Sequence, residues 1–167
     1  VSTQTTGQYN VSLGENSLFG LTTGNHNFVV GSNAGYSLTS GENNIIMGAS
    51  AGDALTTTSN SVMIGRSAGT AINSTDANGT VAIGYAAGAS ITEGARQTFL
   101  GYQAGYSSTT GDENVAVGAS SLMTATTGTR NVVAGYEAGK VFTDNNLTAI
   151  GYQAGLANTT GGANTFI

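Results

Sequence analysis

Short apolar triplets recur along the chain at a nearly constant interval. They read VSL (11–13), FVV (28–30), IIM (45–47), VMI (62–64), VAI (81–83), TFL (98–100), VAV (115–117), VVA (132–134), TAI (148–150) and TFI (165–167). The first nine are each followed by a glycine, namely Gly14, Gly31, Gly48, Gly65, Gly84, Gly101, Gly118, Gly135 and Gly151, at spacings of 17, 17, 17, 19, 17, 17, 17 and 16 residues. Each triplet is rich in β-branched residues and bounded by Gly or Asn, which is the pattern of a short strand. No window places apolar residues at i, i+3, i+4 and i+7 as a helix requires.

Numbering that glycine as coil position 1 puts the triplet at positions 15–17, Ala or Ser at position 4, and Thr at position 9 in eight of nine coils, Asn73 being the exception. A 17-residue unit with one firm strand and a weaker second one cannot bury its own apolar face, but stacked copies can. The prediction is an all-β, parallel β-solenoid (a β-roll) of nine to ten coils, a single repeat domain over 1–167. At about 4.8 Å per coil it would form a rod on the order of 45 Å long. The chain has 26 Gly and no Pro; proline would delete a donor wherever the coil-to-coil ladder runs. The spacing irregularities fall in NSTDANGT (73–80) and TDNN (143–146), both read as corners of altered length.

Successive strand side chains face opposite ways. Positions 15 and 17 are expected to form the coil core: Val30, Ile45, Met47, Val62, Ile64, Val81, Ile83, Leu100, Val115, Val117 and Ile150. Position 16 should then be polar, yet it holds Val29, Ile46, Met63, Ala82, Phe99, Ala116, Val133, Ala149 and Phe166. Strands that are apolar on both faces are usually buried on both, and a stripe along the whole rod exceeds what a soluble monomer exposes. Position 16 is therefore expected to be the interface of a parallel homo-oligomer, most simply three chains about one axis. A strand covered by its own chain is the alternative.

The pattern Asn-x-apolar-x-apolar-Gly-x-x-Ala, as in NNIIMGASAG (43–52), NVAVGASS (114–121) and TVAIGYAAG (80–88), resembles the head repeats of trimeric autotransporter adhesins. It also resembles the shaft repeats of phage tail fibres and related trimeric fibres. The likeness covers essentially the whole chain, although the 17-residue period is longer than the family's usual repeat. The resemblance implies a left-handed roll and three chains side by side, as a homotrimer. It implies an extracellular setting, at a cell surface or in a virion fibre.

Composition narrows the chemistry. Only 8% of residues are charged, the formal net charge is −5, and Arg66, Arg96, Arg130 and Lys140 are the only Lys or Arg. Four scattered cations cannot form the basic stripe that a phosphate backbone needs, so no nucleic-acid partner is expected. No apolar run approaches the length of a membrane span. The chain has no Cys, which removes disulfides and thiolate chemistry.

The nine acids, Glu15, Glu42, Asp53, Asp76, Glu93, Asp112, Glu113, Glu137 and Asp144, scatter over many coil positions, and only Asp112 and Glu113 adjoin. A carboxylate-based catalyst would gather them, so no enzyme is expected. His26, the sole His, lies at a corner in TGNHN (23–27) and reads as a solvated loop residue. GYQAG (101–105 and 151–155) lacks the Lys of a phosphate loop, and no repeat carries the placed Asp of calcium-binding β-rolls. No cofactor or metal is implied.

Tyr85, Tyr102, Tyr136 and Tyr152 share position 2 as a possible surface stripe, interrupted by Ala119. Sugar stacking is one reading; stacking on one another between coils is the favoured one. The position 9 column (Thr22, Thr39, Thr56, Thr92, Thr109, Thr126, Thr143, Thr159) raises ice binding as a rival, against a hydroxyl that bonds its local backbone. The expected function is a non-enzymatic structural or adhesive segment of an extracellular fibre, a rigid spacer and attachment surface, possessing a receptor or glycan as a further partner class. The alternatives are an ice-binding solenoid and a self-assembling filament subunit. The pattern begins and ends in mid-coil, so a longer fibre is expected around it.

Overall fold

The computed structural model describes residues 6–167; the first five residues of the predicted domain lie outside that range. Ten short strands run in chain order: β1 Val11–Leu13, β2 Phe28–Val30, β3 Ile45–Met47, β4 Val62–Ile64, β5 Val81–Ile83, β6 Thr98–Leu100, β7 Val115–Val117, β8 Val132–Ala134, β9 Thr148–Ile150 and β10 Thr165–Phe166. Each pairs in parallel only with its neighbours in sequence, giving one ten-stranded sheet in the order β1 to β10. The register keeps every coil position above itself, with Phe28, Ile45, Val62, Val81, Thr98 and Val115 in one file. The chain is a parallel β-solenoid of about nine turns with 17-residue spacing.

The weaker second strand does not form. Positions 1–8 are instead two consecutive hydrogen-bonded turns, as where Ala104 N–H donates to Gly101 O at 3.3 Å and Ser108 N–H to Gly105 O at 3.0 Å. Position 3 has positive φ, 53° at Gln103 for example, as the third residue of a type II turn requires. The turns still carry the ladder between coils: Gly105 N–H donates to Ser121 O at 3.0 Å, Ser107 N–H to Met123 O at 2.9 Å and Thr109 N–H to Thr126 O at 2.8 Å. Position 1 must be glycine for two reasons. Gly101 has φ of 139°, and a methyl there would stand 2.6 Å from Gly118 O.

The two strand faces are the reverse of the sequence expectation. Position 16, expected at an oligomer interface, is inside the single coil: Val29, Ile46, Met63, Ala82, Phe99, Ala116, Val133 and Ala149 are fully buried, and Phe166 packs against the same core. Of the residues expected inside, Ile45, Met47, Leu100, Val117 and Ile150 are exposed, while Val30, Val62, Ile64, Val81, Ile83 and Val115 are half-buried. The cause is the residue at position 14, which shares a face with position 16. There Asn27, Asn44, Asn114 and Asn131 are buried. Their amides donate to the position 11 carbonyl of the next coil, as from Asn44 Nδ2 to Thr58 O at 2.9 Å and Asn114 Nδ2 to Gly128 O at 2.7 Å. Their Oδ1 atoms accept from the backbone of the next coil, at 3.0 Å from Ser61 and 3.0 Å from Asn131. These amides reach their partners only from inside, and position 16 must follow them.

The narrow interior is filled by positions 16, 5 and 8 together, and a large residue at one is offset at the others. The sets run Phe99, Gly105, Ser108; then Ala116, Leu122, Ala125; then Val133, Gly139, Phe142. All nine are buried, and a methyl on Gly105 would overlap the Phe99 ring. Both length irregularities fall at turns, as expected, and both at the same corner of the coil. The insertion forms a 3₁₀ turn, Thr75–Ala77, capped by Ser74, and in the shortened corner Asp144 O accepts from Asn131 Nδ2 at 3.0 Å in place of a position 11 glycine.

Two substitutions test this interior. Phe99→Ala should lower the unfolding free energy by about 3–5 kcal/mol in denaturant titrations; a loss below about 1 kcal/mol would place the ring outside the core. Asn114→Ala strands Gly128 O and the Asn131 N–H and should cost about 2–4 kcal/mol by the same measurement.

Candidate interaction surfaces

Reversing the faces leaves the apolar residues of positions 15 and 17 outside. Along β1 to β10 and its last neighbour Ile167 these twenty positions hold no charged residue, and three of them are Thr98, Thr148 and Thr165. Phe28, Ile45, Met47, Leu100, Val117, Val132 and Ile150 are each exposed by 37–47%. The strip is about 43 Å long at the parallel-strand spacing. It offers on the order of 1,000 Å² of accessible surface, comparable to the roughly 800 Å² each partner contributes to a standard interface.

Position 2 borders this strip beyond the glycine corner. Tyr85 stacks on Tyr102 with ring centroids 5.3 Å apart and planes at 12°, and Tyr136 on Tyr152 at 5.6 Å and 10°. Arg66 extends the first pair, its guanidinium 6.0 Å from the Tyr85 centroid. The predicted tyrosine stripe therefore exists as two stacks on an exposed face. Similar pairs, Phe19 on Tyr36 and Tyr9 on His26, occur at other corners; His26 is exposed, with positive φ.

The position 9 hydroxyls are engaged. Thr22, Thr39, Thr56, Thr92, Thr109 and Thr143 each donate to the position 9 carbonyl one coil on, at 3.1 Å from Thr22 to Thr39, 3.0 Å from Thr39 to Thr56 and 2.9 Å from Thr109 to Thr126. Their partner is the adjacent coil, where sequence reasoning expected the corner's own backbone.

Several of the acids also have structural partners. Asp112 accepts from the Ala95 N–H at 2.7 Å, and Glu113 meets Arg96 at 3.0 Å. Asp112, Ala95 and Arg96, with Asp76, Glu93 and Thr110, line an open recess of about 330 Å³ beside the inserted corner. Glu137 accepts from Lys140 at 2.6 Å and from Gln153 Nε2 at 2.8 Å. The Lys140 hydrogen bond, then the Gln153 one, holds the Glu137 carboxyl below its ordinary range, while Glu137 raises Lys140.

Sequence reasoning missed the buried amide file at position 14 and the core file at position 8, which includes Leu21, Leu38, Leu55, Ile72, Ile91 and Phe142. The signal was available as a column of Asn and a column of large aliphatics, each one residue wide. No helix among the described residues is long and apolar enough to cross a membrane. Comparison with protein-family models, with curated proteins and with solved structures found no match.

Thr109→Val removes one hydroxyl from the ladder and should cost about 0.5–1.5 kcal/mol. The wild-type chain should show no thermal hysteresis of freezing, because those hydroxyls are held by carbonyls; a hysteresis abolished by Thr109→Val would return the column to ice.

Proposed function

We propose that this chain is a non-enzymatic structural and adhesive segment of an extracellular trimeric fibre, of the kind found in surface adhesins and tail fibres. The observation that carries the reading is the uncharged strip of positions 15 and 17, which three parallel copies would bury around a common axis. The sheet's strand order is unbroken over ten strands, so identical copies can meet along its whole length. Burying on the order of 1,000 Å² per chain provides the driving force for a stable assembly.

The mechanism is geometric. A ladder of backbone hydrogen bonds that runs through the turns as well as the strands resists bending and denies proteases a loose loop. The number three and the left-handed winding rest on the resemblance of the repeat to trimeric fibres; a two-fold pair would bury the same strip. Ice binding is less well supported, since the Thr hydroxyls that would organise water are donating to carbonyls.

Light scattering coupled to size exclusion should give the mass of three chains. Leu100→Asp combined with Val117→Asp places two charges in the strip and should reduce the mass to one chain while the far-ultraviolet β signal persists. A wild-type monomer, or a variant whose mass is unchanged, overturns the assembly; a mass of two chains overturns the three-fold arrangement.

A further inference from the structure

The outward tyrosine column is broken at one rung, and the break has the dimensions of a ring. Position 2 residues lie directly above one another: Ser120 N–H donates to Tyr102 O at 2.8 Å and Glu137 N–H to Ala119 O at 2.9 Å. Ala119 therefore occupies the rung between Tyr102 and Tyr136. Below it Tyr102 stacks on Tyr85, and above it Tyr136 stacks on Tyr152. Each stack keeps one ring face turned towards the Ala119 rung.

Two coil spacings separate the flanking rings by about 10 Å. A guest ring at their midpoint would lie about 5 Å from each, close to the 5.3 and 5.6 Å at which the chain's own position 2 rings stack. The site is open to solvent, with Tyr102 53% and Tyr136 48% exposed and Ala119 half-buried as its floor. A methyl floor leaves the guest's position empty where four other coils carry a phenol.

We infer that the Tyr102–Ala119–Tyr136 slot binds a pyranose ring of a glycan. A pyranose presents C–H faces to the electron-rich faces of the two tyrosines while its equatorial hydroxyls point out at the edge. Gln103 and Ser120, adjoining Tyr102 and Ala119 in sequence, bring amide and hydroxyl groups to the neighbouring position, which suits a hydroxylated ring better than a wholly apolar one. The base of a nucleotide would bring its phosphate to a chain of net charge −5, an unfavourable encounter. The inference does not depend on the fibre reading, because the slot is complete within one chain.

The test is saturation-transfer nuclear magnetic resonance on the full chain with methyl β-D-glucopyranoside and methyl β-D-galactopyranoside. A ring of this size sandwiched on both faces should bind with a Kd of about a millimolar, and saturation should concentrate on the ring C–H protons of at least one probe. Ala119→Tyr fills the slot with the residue its neighbours use, so it should fold normally and abolish transfer. Tyr102→Ala and Tyr136→Ala should each weaken binding by about tenfold, the loss of one stacking face, while Tyr9→Ala, in another column, leaves it unchanged. Absence of transfer from both probes at about 50 mM, or transfer that survives in a folded Ala119→Tyr variant, overturns the assignment. Binding of p-cresol at the slot without either pyranoside overturns the ligand class.

Discussion

The buried amide at coil position 14 constrains this solenoid more than any other group. It lies inside, bonds one neighbouring coil through its nitrogen and receives a backbone N–H through its oxygen, as Asn44 and Asn114 do. A buried primary amide without these partners would be costly, so the side chain has one admissible direction and the strand's two faces follow from it. Once position 14 points inward, position 16 joins it in the core and positions 15 and 17 are turned out. The identity of the interior is therefore decided by a polar residue just before the strand.

The interior that results is too narrow for independent choices. Phe99 is admitted because Gly105 leaves its ring the space a methyl would fill, and Gly139 leaves the same room for Leu147 and Val133. Close packing makes volume the quantity held constant along the rod, with individual residues free to trade. Length changes cannot be absorbed in the same way, since one residue's slip would exchange the faces of a strand. Both changes accordingly occur at the corner of positions 10–12, where Thr75–Ala77 adds a 3₁₀ turn and Asp144 replaces two residues while keeping the carbonyl that Asn131 needs.

The period, the parallel register and every strand were legible in the sequence, because repeated glycines and β-branched triplets encode backbone geometry directly. Which strand face was internal was not, for a physical reason. Both faces are apolar, so hydrophobic alternation carried no information, and the residue that broke the tie was polar. Apolar preference placed Val30, Ile45 and Leu100 inside, whereas hydrogen-bond satisfaction at Asn27, Asn44 and Gln97 places them out. The tyrosine column was legible as a column, but its exposed, offset stacks depend on the rung spacing that only the fold supplies.

Inside and outside then treat irregularity differently, and the difference tells where function can reside. An interior departure such as Ala116 beside Phe99 is offset by Leu122 in the turn that follows the strand, because an empty core volume costs stability. An exterior departure meets solvent and has no such requirement. Ala119 interrupts the tyrosines with nothing on the neighbouring rungs enlarged to fill the space: Tyr102 and Tyr136 remain the same residue type, stacked away from the break. In a chain whose coils are near-copies, an uncompensated surface gap is local information superimposed on the scaffold, whereas the uniform strip of positions 15 and 17 is information shared by all coils. A shared surface suits a partner with the same period, another copy of the chain; a single gap suits a ligand one rung thick.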